Sequence, residues 1–281
     1  MSLPRASGAV LSLDRLVALG NLAAARATPG RARGPAGGLS GPRRGEGGDL
    51  FDLRPWQQGD DLRRIDPAAT ARSGRPQVRS RHEDVERTLM LVADFRRSTL
   101  WGTRGRFRSV AGAEALALEG WRAVRAGGRV GVVVVGDRTI VTVSPQPREA
   151  AMLRVAATLA ECHATALGGA EAGQESLSAL LDAVIERVAA GSAVVLATGL
   201  DDLDTGFRAT ALALMRFCTL EVLLVQDAVE TDPPQGSVLA RIGRRVARGR
   251  FASSRSADLL DGQGIPYRLI RAETSMEDDA A

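Results

Sequence analysis

The apolar positions of this chain change their spacing as it proceeds. Between Leu11 and Ala27, the residues Leu13, Leu16, Val17, Leu19 and Leu22 recur at helical intervals and predict an amphipathic helix. Residues 28–48 are rich in Gly, Pro and Arg and read as a loop or linker. The next stretch, to Val85, mixes charges of both signs with almost no period. Phe51, Leu53, Trp56, Leu62, Ile65 and Val78 give it anchors, so an ordered but irregular segment is expected. From Arg87 onward, strand and helix patterns alternate. Thr88–Ala93, Arg129–Val135, Ala193–Ala197 and Leu220–Val225 are continuous apolar runs, as in parallel strands buried on both faces. Gly136-Asp137 turns the chain into a short strand at Thr139–Val143, and a last strand is expected at Tyr267–Ile270. Helical spacing fills Arg108–Arg125, Glu149–Cys162 and Leu177–Ala189. The predicted class is α/β: a mostly parallel sheet, helices on both faces, one antiparallel edge strand.

Composition sharpens this picture. Aromatic residues make up 4% of the 281, so the core rests on Leu, Val and Ala. No apolar run approaches the roughly 18–20 residues of a membrane span, and the Arg- and Asp-bearing start does not resemble a signal peptide. A cytoplasmic chain that does not associate with membranes is expected. Cys162 and Cys218 are too few and too far apart for a disulfide framework or a metal site, and are expected as buried free thiols. The isoelectric point near 10.2 overstates the basicity. All 37 basic residues are Arg, with no Lys to titrate below them, so a small excess of Arg pushes the isoelectric point high while the net charge is only +4.

Catalytic motifs are missing. There is no G-x-S-x-G elbow, no C-x-x-C or H-E-x-x-H, and no Lys for a phosphate-binding loop. His82 sits in a charged stretch. His163 follows Cys162 near a helix end, where side chains of sequence neighbours diverge by about 100°. A non-enzymatic protein without a cofactor is expected. Arg241, Arg244, Arg245 and Arg248 would share one face of a helix, or be scattered if Val238–Ile242 and Arg244–Ala247 form a hairpin. With only Phe251 nearby for base stacking, nucleic-acid binding is a secondary reading.

The segment from Gly48 to Asp66 reads GDLFDLRPWQQGDDLRRID and is followed by Ala71-Arg72. It resembles the hallmark of the bacterial domain of unknown function 58 family, a pattern of the form E-F-x-x-L-R-x-Y-x-x-G-D-D-x-R-x-I-D-W and then A-R. Asp227, Glu230, Pro234 and Gly236 resemble a later run of the same family, whereas Pro67 stands where a Trp is usual. The resemblance covers Gly45 to the C-terminus. It implies a von Willebrand factor A-like, Rossmann-type domain over residues 87–272. Residues 1–47 are then an N-terminal helix and linker, 48–86 the hallmark segment, and 273–281 an acidic tail expected to be disordered. Family members are often encoded beside MoxR-type AAA+ ATPases, which implies a protein partner of that kind and an adaptor or chaperone-like role.

The hallmark also has a direct physical reading. Gly59 permits a tight turn, and Asp60, Asp61 and Asp66 alternate with Arg54, Arg63, Arg64 and Arg72. Such a mixture can pin the segment by Arg–carboxylate pairs or form a partner-binding or catalytic carboxylate cluster.

The resembled fold often holds Mg²⁺ through a D-x-S-x-S loop, a Thr from a second loop and an Asp from a third, an oxygen shell suited to a hard cation. Here the first loop is Asp94-Phe95-Arg96-Arg97-Ser98. Arg96 replaces the middle Ser, Ser176 is the only stand-in for the Thr, and Thr198 stands where the Asp belongs. Asp201 or Asp202 could substitute only if the loop shifted. No divalent metal is expected, and Asp94–Arg96 is expected as an internal ion pair. Asp94, Arg96, Ser98, Thr198 and Asp201 form the first candidate partner-binding site, since ligands of open α/β sheets bind beyond the strand C-termini. Asp60, Asp61, Arg63, Arg64, Asp66 and Arg72 form the second. A metal-dependent ligand-binding domain is the other alternative to the adaptor reading.

Overall fold

The computed structural model describes residues 8–25, 44–56, 65–82, 87–169, 176–201, 205–242, 245–250 and 254–277. In chain order the elements are α1 (Leu13–Ala25), β1 (Arg44–Pro55), α2 (Pro67–Ser73), β2 (Gln77–His82), β3 (Thr88–Asp94), α3 (Arg108–Arg125), β4 (Arg129–Val135), β5 (Ile140–Pro147), α4 (Glu149–Gly168) and α5 (Leu177–Ile185). Then follow β6 (Ala193–Thr198), α6 (Phe207–Met215), β7 (Thr219–Gln226), the single turn α7 (Ala228–Thr231), β8 (Val238–Ile242), β9 (Arg245–Gly249), α8 (Ser256–Gln263) and β10 (Tyr267–Arg271). They fall into two compact units, one of Met1–Ala36 with Arg87–Ala281 and one of Gly37–Glu86.

The larger unit is built on a six-stranded sheet in the order β10-β7-β6-β3-β4-β5, parallel throughout except for β5, which runs antiparallel to β4. The expected class is therefore observed. The continuous apolar runs have the cause expected of them, because successive side chains enter opposite layers. Leu89, Leu91 and Ala93 of β3 pack into the layer of α1, α3 and α4, whereas Met90 and Val92 pack into the layer of α5, α6 and α8. α3 lies close to the sheet because Gly112 has no side chain: a Cβ there would stand 3.1 Å from that of Ala197. β3 leads through α3 to β4 on one side, and β6 leads through α6 to β7 on the other. The strand order thus reverses between β3 and β6, and their C-terminal ends open a crevice.

The described residues of the smaller unit are not irregular. β1 and β2 form an antiparallel pair with shifted register, and α2 lies between them in sequence. Asp66 caps α2 by accepting from the Ala69 N–H at 2.8 Å, Pro67 begins the helix, and Gly74 closes it at φ 66°. β1 occupies part of the stretch read as a linker. Its composition is too charged to alternate, so only the backbone ladder with β2 marks it as a strand.

Other boundaries differ for local reasons. β5 continues past Val143 through Pro145 and Pro147, which an edge strand tolerates because it need not donate outward. α4 continues six residues beyond Cys162, to Gly168. α5 ends at Ile185 instead of Ala189, where the Glu186 and Arg187 N–H groups turn back onto Asp182 and Val184. The arginine-rich stretch is a hairpin, β8–β9, and not a helix. α6 and α8 carry apolar stripes too short to stand out in the sequence.

The N-terminal helix belongs to the larger unit. Leu16 and Leu19 of α1 are fully buried, and the Trp121 indole N–H on α3 donates to the Leu16 carbonyl at 2.9 Å. The acidic tail, expected to be disordered, is structured as far as Glu277: Ala272 and Met276 are buried, and Arg15 grips Glu277 through two bonds of 2.6 and 2.9 Å. That bond holds the Glu277 carboxyl down to about 2. Arg15 also reaches Glu114 of α3, 1% exposed, at 3.3 Å, and Arg106 bonds the same carboxylate from the other side. Arg15→Ala leaves Glu114 buried with Arg106 and removes one of the contacts that hold the tail. Because Arg106 still neutralises Glu114, the loss is that of charged hydrogen bonds, about 2 kcal/mol, and the urea midpoint should fall accordingly. An unchanged midpoint would show that α1 is held by packing and the Trp121–Leu16 hydrogen bond without help from the ion pairs.

Candidate functional site

Asp94 ends β3 and Thr198 ends β6, so both sit at the crevice where the strand order reverses. Arg96 folds back onto Asp94. Its Nε and Nη2 each donate at 2.8 Å to the two carboxylate oxygens, and its backbone N–H donates to Oδ1 at 3.1 Å. The Thr198 hydroxyl donates to Asp94 Oδ2 at 2.8 Å and accepts from the Leu200 N–H at 3.1 Å. Asp94, Arg96 and Thr198 are each 3% exposed or less. Thr99 Oγ1 lies 2.8 Å from the Asp94 carbonyl and 2.9 Å from that of Arg96, which closes the loop on itself. Leu200 is buried at φ 58°, a left-handed conformation that costs a non-Gly residue about 1 kcal/mol or more.

A second node adjoins the first. Arg108, the first residue of α3, is buried against Trp101, its guanidinium carbon 4.4 Å from the ring centroid. It donates to Asp201 at 2.6 Å, to Glu230 at 3.1 and 3.2 Å, and to the Ser98 carbonyl. Gly199 allows this approach, since a Cβ there would lie 2.5 Å from Arg108 Nη1. Asp227 and Glu230 form a capping box on α7. Burial raises the Glu230 carboxyl above the ordinary range, with Arg108 opposing. Burial also pushes Asp227 upward, but bonds from Thr103 and the Val229 N–H outweigh it and leave Asp227 lowered. A cavity of about 10 Å³ remains between the nodes, lined by Asp94, Arg108, Ser109 and Thr198, room for one water at most.

The donor set does not fit a divalent cation. Both Asp94 oxygens are engaged by a guanidinium that stands where a cation would bind, and its charge repels another. Ser98 contributes its carbonyl to Trp101 and Arg108, while its hydroxyl is buried without a partner among the described residues. The Asp201 carboxylate is directed to Arg108, and its carbonyl lies 3.5 Å from Arg96 Nη2. Ser176 caps α5 by accepting from the Ala179 N–H at 3.2 Å.

The structure therefore brings Asp94, Arg96, Ser98, Thr198 and Asp201 together. Of the hallmark residues, Asp66 is a helix cap and Arg72 is exposed in the last turn of α2. Asp60, Asp61, Arg63, Arg64 and Asp202 lie outside the described residues. Sequence reasoning misses Arg108, Trp101 and Thr103. The D-x-x-E spacing of Asp227 and Glu230 is the legible half of that node; its cationic half lies 122 residues earlier.

A family model described as Protein of unknown function DUF58 matches residues 52–240. The chain belongs to this family. None of the curated proteins matches it. The DUF58 match spans the Asp94–Arg96 loop, Arg108, Thr198 and the Asp227–Glu230 cap.

His163 lies within α4, away from its end, and is fully buried. Its Nε2 is 2.9 Å from Ser109 Oγ and its ring meets Phe95 edge-on at 5.1 Å. It makes no dyad with Cys162, which is half-buried; the Cys218 thiol is buried, and both are free. Burial lowers the imidazole from 6.5 to about 4. The unfolded chain therefore takes up a proton that the folded chain refuses, and stability falls as pH drops through that window, by about 3 kcal/mol at its foot. His163→Gln should flatten this limb of unfolding midpoint against pH. Separately, Arg96→Met should cost about 3–5 kcal/mol by leaving Asp94 buried and unpaired, while Asp94→Asn with Arg96→Met should cost less than either single change. Chemical denaturation of the four proteins closes that cycle.

Proposed function

We propose that this chain is a non-enzymatic interaction module, a von Willebrand factor A-like domain in which an internal ion pair replaces the metal. The observation that carries this reading is the guanidinium of Arg96 seated on both oxygens of Asp94. In a metal-dependent domain of this kind, the cation keeps an open position for a ligand carboxylate. Here the equivalent charge belongs to the chain itself, so the loop holds its shape without an ion. The rim stays available to a partner: Arg97 is exposed, and Asp201 and Glu230 are partly exposed. The partner suggested by the family resemblance is a MoxR-type AAA+ ATPase, with the chain acting as adaptor or chaperone-like module.

Two measurements test the reading. Millimolar Mg²⁺ should leave the wild-type thermal midpoint unmoved. Arg96→Ser, which restores D-x-S-x-S, should be destabilised yet gain about 3 °C on adding Mg²⁺. A Mg²⁺-dependent rise in the wild type would overturn the metal-free reading. A MoxR-type ATPase from the same genome should co-elute with the wild-type chain and not with Arg97→Glu.

A further inference from the structure

The β8–β9 hairpin stands apart chemically from the rest of the chain. Val238–Arg250 contains only Arg, Gly and aliphatic residues, with no aromatic, hydroxyl, amide or acidic side chain. No acid occurs anywhere from Pro233 to Ala257. The two strands pair with each other in a sheet of their own. Leu239 is 69% exposed and Val246 63%, more than any other large apolar side chain among the described residues. The register sets Leu239 opposite Arg248 and Val246 opposite Arg241, so apolar and basic residues are interleaved across the pair. Arg248 and Arg250 are exposed.

We propose that the β8–β9 hairpin docks on an anionic lipid surface, with Arg248 and Arg250 at the phosphate headgroups and Leu239 and Val246 in the acyl boundary. Charge complementarity selects an anionic partner. Leu239 and Val246 then separate the possibilities. Nucleic acid would leave both aliphatic side chains without a role, and the hairpin offers no ring on which a base could stack. Arginine and aliphatic side chains together suit an interface that is apolar below and phosphate-lined above, and such an interface needs no directional match. No helix among the described residues is long and apolar enough to cross a membrane. A peripheral hairpin needs none.

Flotation of the full chain with vesicles tests the proposal. Mixed phosphatidylglycerol–phosphatidylcholine vesicles should carry the protein, pure phosphatidylcholine vesicles should not, and salt should release it. Arg248→Gln with Arg250→Gln should weaken partitioning about 30-fold, at about fivefold per arginine. Leu239→Ser with Val246→Ser should weaken it at least about tenfold with the thermal midpoint unchanged, because neither side chain is buried. Equal binding to neutral vesicles, or full binding by both double variants, would overturn the proposal. So would retention on duplex DNA without vesicle binding, which would assign the arginines to nucleic acid.

Discussion

A carboxylate at the end of a central strand, shut away from water, must be neutralised or protonated. Asp94 is that carboxylate, and the arrangement of the sheet edge around it follows from how it is satisfied. Arg96 supplies the charge, Thr198 supplies a hydrogen bond from the next strand, and the loop between them wraps tightly enough to leave almost no free volume. The guanidinium is planar and forked, so it holds the carboxylate in one orientation and registers β3 against the loop after β6. A hydrated ion in the same place would leave exchangeable positions. The ion pair takes up both carboxylate oxygens, and this is the physical difference between a carboxylate that coordinates an ion and one that is satisfied by its own chain.

Arg108 applies the same solution a few ångströms away. Its guanidinium draws the loop after β6 and the cap after β7 onto the start of α3. Aromatic stacking on Trp101 covers a charge that would otherwise lie bare in the core. The chain lacks Lys altogether, and both nodes use the geometry that Arg alone offers.

What could be read from the sequence follows from how each signal is carried. β3, β4, β6 and β7 are visible because burial on both faces makes them unbroken apolar runs. The Asp94–Arg96 pair is visible because its members lie two residues apart. Arg108 is not, since a polar residue at the start of an apolar helix is ordinary and its carboxylates lie 93 and 122 residues away. β1 is hidden for another reason: its charged composition gives no period, and its pairing is a property of the backbone. The tail misleads in the same manner, because Glu277 looks like a solvated acid until Arg15 is placed beside it.

The Arg15–Glu114–Glu277 contact spans 99 and 262 residues of sequence. Loop closure over such separations is affordable only after the sheet has assembled, so this contact belongs to the late side of the folding barrier. Its strength then registers chiefly in how slowly the native state opens, and little in how fast it forms. During synthesis, α1 precedes Glu277 by more than two hundred residues, so its arginine is fully paired only after the intervening chain has been made. The clamp is therefore a latch on assembly: the native state acquires its full resistance to unfolding only once the segment around Glu277 has docked on α1.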